Sequence, residues 1–382
     1  MDKIFDYIRW RSDLTVNVEK INEVDMAIFS QVIMIPYKKF IDMPLYQTDA
    51  SITIEELGKH MKPHKKEVIN TIGLVVPSQI VSLLDIIRKT KRYKDIKLTN
   101  YVSDISTQRE IQFTAFTLEI DDHTIVVFSG TDDTIIGWKE NINMIYNYPT
   151  PAQIESVKYL EYIAKNKKHV EVIGHSKGGN LAMYSYTFAN NETQNKVTKV
   201  YSFDGQGFSD ELNEEQILKC NKITTYCGDT GIVGYLFNHY EKHCLVACDS
   251  QGLYQHDLFS WSVNVYHFEK ATKRSEDSIY IENKVKTMLE NMDYSMREKF
   301  SNAVYNILVC TNSNTLLELN ANKFKLIKSY FGSNKEERKV LDKTLRELFL
   351  DKVVFKNIFQ MFKDFTVKEK EKNKMIREID RK

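Results

Sequence analysis

The sequence predicts an α/β fold in which helices cover a mostly parallel β-sheet and a helical module follows. Between residues 96 and 270, short apolar strand patterns alternate with helical patterns, as in parallel strands joined by helical crossovers. Residues 278–363 are rich in Leu, Lys, Glu and Phe at helical spacing, with almost no Gly or Pro. We therefore divide the 382 residues into an N-terminal helical segment (1–95) that packs on the core, a sheet core (96–270), and a helical C-terminal module with a charged tail (271–382).

The N-terminal segment carries helical patterns and no catalytic motif. Its apolar spacing predicts helices over residues 22–33 and 51–61, and a third helix that follows Pro77 and runs to residue 87. We interpret this segment as a helical layer that covers the sheet or shields a site on it.

The sheet core opens with a predicted hairpin and continues as alternating helices and strands. The hairpin strands are 112–120 and 124–129, separated by a turn at Asp121 and Asp122. Further strands are predicted at 170–173, 197–203, 223–227, 244–247 and 261–268. Helices are predicted around Trp138, Ile142 and Ile145, from Pro151 to about Lys165, after the strand at 170–173, and from Ser209 to about Leu218.

The stretch 170–183 contains Gly-x-Ser-x-Gly between an apolar strand and an amphipathic helix, which is the context of a nucleophile elbow. Glycines at 174 and 178 remove the Cβ atoms that would collide in so tight a turn. Ser176 would then stand at the top of the sheet as a candidate nucleophile. The backbone N–H of Lys177, at the N-terminus of the following helix, would favour negative charge beside it.

A serine nucleophile needs a general base, and in folds with this elbow the acid and the histidine follow the serine in the chain. Four histidines do so: His239, His243, His256 and His267. His267 lies inside a strand pattern, which favours a packed side chain, and His239 and His243 would share one face of a helix. His256 lies in a polar loop before the last strand, where an imidazole can reach the serine, and is our candidate base.

The acid that orients this histidine has two candidates at the ends of predicted strands, Asp204 and Asp229. We favour Asp229, because its strand is one further from the elbow and leaves more room to reach the histidine. Asp204 stays open as the alternative. Asp249 and Asp257 lie near His256 in the sequence but would have to fold back on it.

An oxyanion hole needs two N–H donors. Lys177 supplies one by the geometry of the elbow. The second should come from a loop after an earlier strand, and the segment 128–131 fits, since Gly130 lets the backbone approach a substrate and Thr131 offers the N–H.

Composition and charge exclude several classes of protein. The net charge is +1, so no basic or acidic excess indicates a nucleic-acid partner. We find no signal-peptide pattern at Met1 and no apolar run long enough to cross a bilayer. The five cysteines are odd in number and unevenly spaced, which suits free thiols in a reducing compartment. We expect a soluble cytoplasmic protein.

One region rich in cysteine and histidine resembles a zinc site in composition. It contains Cys220, Cys227, His239, His243, Cys244 and Cys248. The region has no Cys-x-x-Cys pair, and its last two cysteines overlap a strand pattern, so we interpret the thiols as small buried apolar side chains. We expect neither a metal nor a cofactor.

These motifs resemble those of known enzymes. The segment 128–131, with Trp138 and Asn141 after it, resembles the oxyanion block of class 3 (fungal-type) lipases, and 174–182 resembles their elbow. The whole chain is similar to a bacterial family of lipase-like α/β hydrolases of unknown function. The matching motifs are Tyr7-x-x-Trp10-Arg11-x-Asp13, Asn22-Glu23-x-Asp25, Gly130-Thr131-Asp132-Asp133, Gly137-Trp138-Lys139-Glu140, Phe203-Asp204-Gly205-x-Gly207-Phe208, Ile232-Val233-Gly234 and Tyr254-Gln255-His256-Asp257-x-x-Ser260-Trp261.

The resemblance implies an α/β-hydrolase fold with a triad of Ser176, Asp229 and His256 and oxyanion donors at Thr131 and Lys177. One departure concerns the acid, since Asp229 lies two residues further from Ile232-Val233 than in class 3 lipases, and Gly234 replaces their proline. The implied activity is hydrolysis of carboxylic esters, such as acylglycerols or phospholipids.

Three alternatives stay open at this stage. The first is a thioesterase or peptidase of the same fold. The second is an inactive hydrolase scaffold whose C-terminal helices bind a protein partner. The third is docking of the basic tail, residues 366–382, on a membrane surface, although a solvated frayed helix is the simpler interpretation of that charge run.

Overall fold

The computed structural model describes residues 2–73, 75–250, 252–309, 313–321, 335–349 and 351–380. At its centre is an eight-stranded sheet whose strands lie in the order in which they occur along the chain. They are β1 (Ser51–Thr53), β2 (Lys97–Ser106), β3 (Ile111–Ile120), β4 (His123–Phe128), β5 (Val170–His175), β6 (Val197–Phe203), β7 (Ile223–Gly228) and β8 (Lys242–Val246). The first four strands pair antiparallel, and β4 to β8 pair parallel.

Helices cover both faces of this sheet. Those before the elbow are α1 (Ile4–Arg11), α2 (Glu23–Val32), α3 (Ile54–Met61), α4 (Lys65–Thr71), α5 (Gln79–Ile87), α6 (Ile135–Asn143) and α7 (Pro151–Ala164). Those after it are α8 (Lys177–Phe188), α9 (Asn191–Lys196), α10 (Glu214–Lys219), α11 (Glu276–Glu290), α12 (Tyr294–Val309), α13 (Leu316–Ala321), α14 (Lys335–Phe349) and α15 (Lys352–Asp380). The mostly parallel, helix-covered sheet and the helical C-terminal region confirm the predicted α/β fold class.

The two faces of the sheet belong to two apolar clusters. On one face, buried side chains of α1 to α5 pack with strand residues such as Phe116, Ile173 and Phe203. On the other face, α7 and α8 pack against residues such as Val126 and Val172. Neighbouring residues of a strand point to opposite faces, so Val172 and Ile173 enter different clusters. The carboxyl ends of β4 to β7 therefore meet between two packed layers.

Several element boundaries differ from those predicted. Residues 51–53 form an edge strand, because they pair with β2 before α3 begins at Ile54. Helix α10 begins at Glu214 rather than after Ser209, since Asn213 caps it and accepts a hydrogen bond from the Gln216 N–H at 2.9 Å.

The strand predicted over 261–268 is also interrupted. Val265 adopts a positive φ of 58°, and the segment folds into a two-stranded hairpin, β9 (Val263–Asn264) with β10 (His267–Phe268). The side chain of His267 is 60% exposed, so the packed position expected for it is wrong.

The end of the described chain is a packed helix. In α15, Met375, Ile376 and Ile379 pack against the core cluster of the N-terminal layer. Lys372 Nζ donates to the backbone oxygen of Asn70 at 3.4 Å, and Asp380 pairs with Lys66 at 2.6 Å. The predicted helix is present as far as residue 380 with most of its polar side chains exposed, but the fraying predicted for it is wrong, because its apolar side packs against the core. Residues 381–382 lie outside the described chain. Among the described helices, none combines the length and apolar character that crossing a membrane requires.

Candidate active site

The strand–helix turn between β5 and α8 has the geometry of a nucleophile elbow. Ser176 has φ 58° and ψ −129°, a strained conformation for a residue with a side chain. A Cβ on Gly174 would lie 2.1 Å from the backbone of Gly178, and a Cβ on Gly178 would lie 2.3 Å from the oxygen of Phe128. Both glycines are therefore required by contacts of the turn, and the turn presents Ser176 to a cavity.

His256 lines the same cavity and is paired with Asp204. Its Nδ1 lies 2.6 Å from Asp204 Oδ2, and the Asp204 side chain is fully buried at the end of β6. The other oxygen of this carboxylate accepts the N–H of Gly234 at 3.1 Å. A Cβ on Gly234 would lie 2.4 Å from that oxygen, so glycine is what lets the backbone donate here.

Asp229, the acid favoured by the sequence analysis, does not pair with the histidine. Its carboxylate accepts a hydrogen bond from the Cys248 thiol at 3.1 Å, and its backbone oxygen accepts from the N–H of Ser275, the N-cap of α11. The correction has a geometric reason. Asp204 ends the strand adjacent to the elbow strand, whereas Asp229 ends the next strand, about 4.8 Å further along the sheet.

The turn that carries His256 is held by two side chains that the sequence analysis did not single out. The turn spans Gly252–His256. The residue before it, Gln251, lies outside the described chain. His175 Nε2 lies 2.8 Å from the backbone oxygen of His256, and the two imidazole rings are 4.6 Å apart. The fully buried Trp261 donates its indole N–H to the backbone oxygen of Gln255 at 2.7 Å. Two successive carbonyls are thus fixed, which sets the direction of the His256 ring.

The predicted oxyanion residues flank the serine. A Cβ on Gly130 would lie 3.4 Å from the Ser176 Cβ, so the loop after β4 passes directly beside the nucleophile candidate. The next residue, Thr131, is buried, lines the cavity and accepts a hydrogen bond from Asn141 Nδ2 at 2.5 Å. The structure therefore brings Thr131, Ser176 and His256 to one cavity, with Lys177 next to the serine in the chain.

The side chain of Lys177 points away from the cavity into a buried ion pair. Its Nζ lies 2.5 Å from Glu140 Oε2, and 98% of the Lys177 side-chain surface is buried. It also donates to the backbone oxygen of Gln112 at 2.6 Å. Glu140 accepts two backbone N–H groups, from Gln112 at 2.9 Å and Ala152 at 2.7 Å. This satisfied network joins β3, α6, α7 and α8.

The cavity in front of Ser176 has a volume of about 430 Å³ and mostly apolar walls. One wall comes from the N-terminal layer and a second from the C-terminal helices α11 and α12. The apolar lining residues include Met34, Val75, Val76, Pro77, Ile142, Ile145, Val233, Leu236, Phe237, Val285, Met288, Leu289 and Phe300. The site is thus completed by regions on both sides of the sheet core.

None of the four cysteines that the structure describes lines this cavity. Cys220 and Cys227 are buried, Cys244 and Cys248 are partly buried, all four are free thiols, and Cys310 lies outside the described residues. Burial raises the pKa of Cys220 to about 12, which keeps this thiol protonated. Cys220 and Cys227 are buried as the sequence analysis expects, whereas Cys244 and Cys248 are only partly buried and the Cys248 thiol donates to Asp229.

A comparison with protein-family models gives a match over residues 87–306 to the model described as Mbeg1-like. The chain belongs to the Mbeg1-like family. The matched residues include strands β2 to β8 and, at the cavity, Thr131, Ser176, Asp204 and His256. No curated protein matches the chain.

Two solved structures to which the chain is similar are fungal proteins. One is a point mutant of MDLA from Penicillium cyclopium, with 13% identity and a TM-score of 0.30, covering 41% of this chain and 66% of that one. The other is a deletion mutant of Rhizomucor miehei lipase in complex with its propeptide, with 14% identity and a TM-score of 0.33, covering 59% of this chain and 86% of that one.

Proposed function

We propose that this protein is a serine hydrolase of carboxylic esters that uses Ser176, His256 and Asp204. The observation that supports it best is the pairing of His256 with a fully buried Asp204 at the cavity to which a strained elbow presents Ser176. Each of these features has a cost in stability, since a positive φ and a buried carboxylate are both unfavourable without compensation. A reaction that uses both the strained serine and the buried carboxylate explains why the two occur at one cavity.

The mechanism follows from the direction of the imidazole. With Nδ1–H donating to Asp204, the ring leaves Nε2 as the base that takes the proton from Ser176 Oγ. The serine oxygen then bonds to the ester carbonyl carbon, and the backbone N–H groups of Thr131 and Lys177 stabilise the oxyanion. The C–O bond to the alcohol breaks as His256 returns the proton to it, and a water activated by the same ring releases the acid.

The walls of the cavity favour an acyl group of several carbons. Residues from α11, α12 and the N-terminal layer form an apolar chamber beyond the serine. Burial of each methylene there contributes about 0.8 kcal/mol. We expect short and medium acyl chains to bind better as their length increases, until the chamber is filled.

Polar atoms at the same cavity favour an alcohol part that carries further hydrogen-bonding groups. The atoms Gln31 Nε2, Trp138 Nε1, Asn141 Oδ1 and Gln206 Oε1 are buried and have no hydrogen-bond partner within the described part of the chain. Leaving such an atom unpaired costs about 1–3 kcal/mol. Acylglycerols and phospholipids offer free hydroxyl or second carbonyl groups to these atoms, whereas simple alkyl esters do not.

Labelling with a fluorophosphonate probe tests the proposal. We expect the folded protein to be labelled on the peptide containing Ser176, and we expect Ser176→Ala to abolish both labelling and hydrolysis of a p-nitrophenyl ester. Ser185→Ala, on the same helix with its hydroxyl bonded to the Ala182 oxygen, is the matched control and should leave both unchanged. Folded protein that neither reacts nor hydrolyses esters would refute the proposal.

The same experiment separates the alternative functions. A panel of acyl esters, acyl thioesters and peptide amides distinguishes an esterase from a thioesterase or peptidase of the same chemistry. If Ser176 is unreactive while the helices after residue 271 capture a protein partner, the inactive scaffold replaces the esterase proposal.

A further inference from the structure

A second group of side chains converges away from the cavity, where the chain enters β8. His239 Nδ1 lies 2.7 Å from Glu241 Oε1, and His243 Nε2 lies 3.3 Å from the same oxygen. All three ligand-type atoms lie within 4.8 Å of one another. The Glu241 side chain is fully buried, while those of His239 and His243 are 12% and 29% exposed.

The local sequence explains why these side chains meet. They occupy alternate positions along a segment that bends at Glu241 and enters β8 at Lys242, so the segment is not helical, as their spacing of four suggested. The sequence analysis counted the cysteines of this region and passed over Glu241, which is the residue that completes the set.

The hydrogen bonds of Glu241 indicate that a cation belongs among these atoms. Three nitrogen or oxygen atoms gather around its Oε1, because Thr225 Oγ1 donates to it at 2.6 Å and both imidazoles lie beside it, whereas a carboxylate oxygen offers two lone pairs. Its Oε2 accepts the Tyr240 N–H at 3.0 Å. One cation between the two imidazole nitrogens and Oε1 would replace the protons on these nitrogens and form three coordinate bonds. Thr225 and the Tyr240 N–H remain to orient the ligand carboxylate.

The spacing of the ligand atoms also suits a transition metal. Atoms bound at about 2.1 Å in a tetrahedral site lie about 3.4 Å from one another. The separation of 3.3 Å between His243 and Glu241 matches this distance, and the separation of 2.7 Å between His239 and Glu241 would have to widen on binding. Two imidazoles and one carboxylate form a set that zinc commonly takes. Beside the set is a surface pocket with room for a water as fourth ligand. In this pocket Arg274 is paired with Glu282 at 2.6 Å and stacks on Tyr235.

The geometry points to a site for one divalent transition-metal ion, with zinc as the first candidate, bound by His239, Glu241 and His243. The three ligands do not line the cavity of Ser176, so we expect the ion to hold the chain in place and not to act on the substrate of Ser176. The preceding residues Leu236 and Phe237 line the cavity of Ser176, and Asn238 exchanges backbone hydrogen bonds with Phe208. A bound ion would therefore anchor the segment that forms one wall of the cavity, and the proposal does not depend on the esterase proposal.

Metal titration of the full chain tests the site. After treatment with a chelator, the protein is dialysed against Zn²⁺ or Co²⁺, and bound metal is measured by mass spectrometry. We expect one ion per chain, a visible absorption band of four-coordinate Co²⁺, and a rise of the thermal unfolding midpoint with Zn²⁺. In His243→Gln and His239→Gln, we expect affinity to fall at least tenfold and the thermal shift to disappear.

The matched control is His267→Gln, which removes a histidine that also lies beside a glutamate, Glu23, at 3.5 Å. This variant should bind one ion as tightly as the unaltered chain. Thermal unfolding without metal establishes that each variant is folded before it is titrated. Less than stoichiometric binding by the unaltered chain, or binding that survives His239→Gln combined with His243→Gln, would overturn the proposal.

Discussion

Two fully buried aspartates, Asp25 and Asp204, differ in how completely they are hydrogen bonded. Asp25 lies on α2 and receives five donors, all from the N-terminal layer. These are Tyr7 Oη at 3.0 Å, Tyr93 Oη at 2.6 Å, Arg92 Nε at 2.9 Å, Arg92 Nη2 at 2.5 Å and the Asn22 N–H at 3.0 Å. Asp204 receives the Gly234 N–H and the ring of His256.

The difference teaches what each carboxylate is for. Asp25 faces a permanent cation and hydroxyls that stay protonated, since burial and then the charge of Asp25 raise the pKa of Tyr93 well above its ordinary value. The pKa values of Tyr7 and Arg92 are raised as well, so the donors to Asp25 keep their protons near neutral pH. Asp204 instead faces an imidazole, the side chain that gains and loses a proton in this range. We infer that the first arrangement serves stability and that the second, under the proposed function, serves proton transfer, and substitutions can separate the two.

The largest effect should come from Asp204→Asn. The amide would turn a donor toward His256 and favour the wrong tautomer, so we expect kcat/KM for a p-nitrophenyl ester to fall about 10³–10⁴-fold. Urea unfolding should change much less, because the Gly234 N–H keeps its acceptor and the histidine is partly exposed. The pH dependence of kcat/KM, measured alongside, separates a role through His256 from simple unfolding. Unchanged activity in this variant would show that Asp204 does not orient the base.

Asp25→Asn should produce the opposite pattern. Its loss leaves the fully buried Arg92 without a counter-charge, which costs about 3–5 kcal/mol of unfolding free energy. The activity of the molecules that remain folded should stay within about twofold, because no atom of this cluster lines the cavity. Urea unfolding together with active-site titration measures both quantities. Glu155→Gln, which breaks the exposed pair with Lys158, is the control and should change stability by less than about 1 kcal/mol.

Sequence reasoning succeeds for the elbow because the constraint on it is local. Gly174 and Gly178 are required by contacts within one turn and the adjoining strand, and the motif contains both. Chain order and a polar loop narrow four histidines to His256, and the structure places this residue in the cavity of Ser176, while its role as the base stays a prediction.

Sequence reasoning fails where the relative positions of strands in the sheet decide which residues meet. The sequence analysis favoured Asp229 because the chain has more room there to reach the histidine. What decides the pairing is which strand lies next to β5, and the order of strands cannot be read from their sequences. The pair of Lys177 with Glu140 was missed for the same reason, because the two residues are 37 positions apart and nothing in either segment indicates that their side chains meet. The tail was misjudged because its charges are visible in the sequence, whereas the α4 surface that covers its apolar side is not.

The smallest effect is expected for Asp229→Asn, and it is the sharpest test of the comparison. Burial, and then the hydrogen bond to Asp229, raise the pKa of the Cys248 thiol, so the thiol stays protonated and donates to either an aspartate or an asparagine oxygen. The backbone bonds of residue 229 to Val246 and Ser275 do not involve the side chain. We therefore expect kcat/KM within about twofold and a stability change below about 1 kcal/mol. Ester hydrolysis and urea unfolding, run beside Asp204→Asn, measure the contrast. If Asp229→Asn lost activity and Asp204→Asn kept it, the histidine would have to exchange partners during the reaction, and the buried pair with Asp204 would be a resting arrangement.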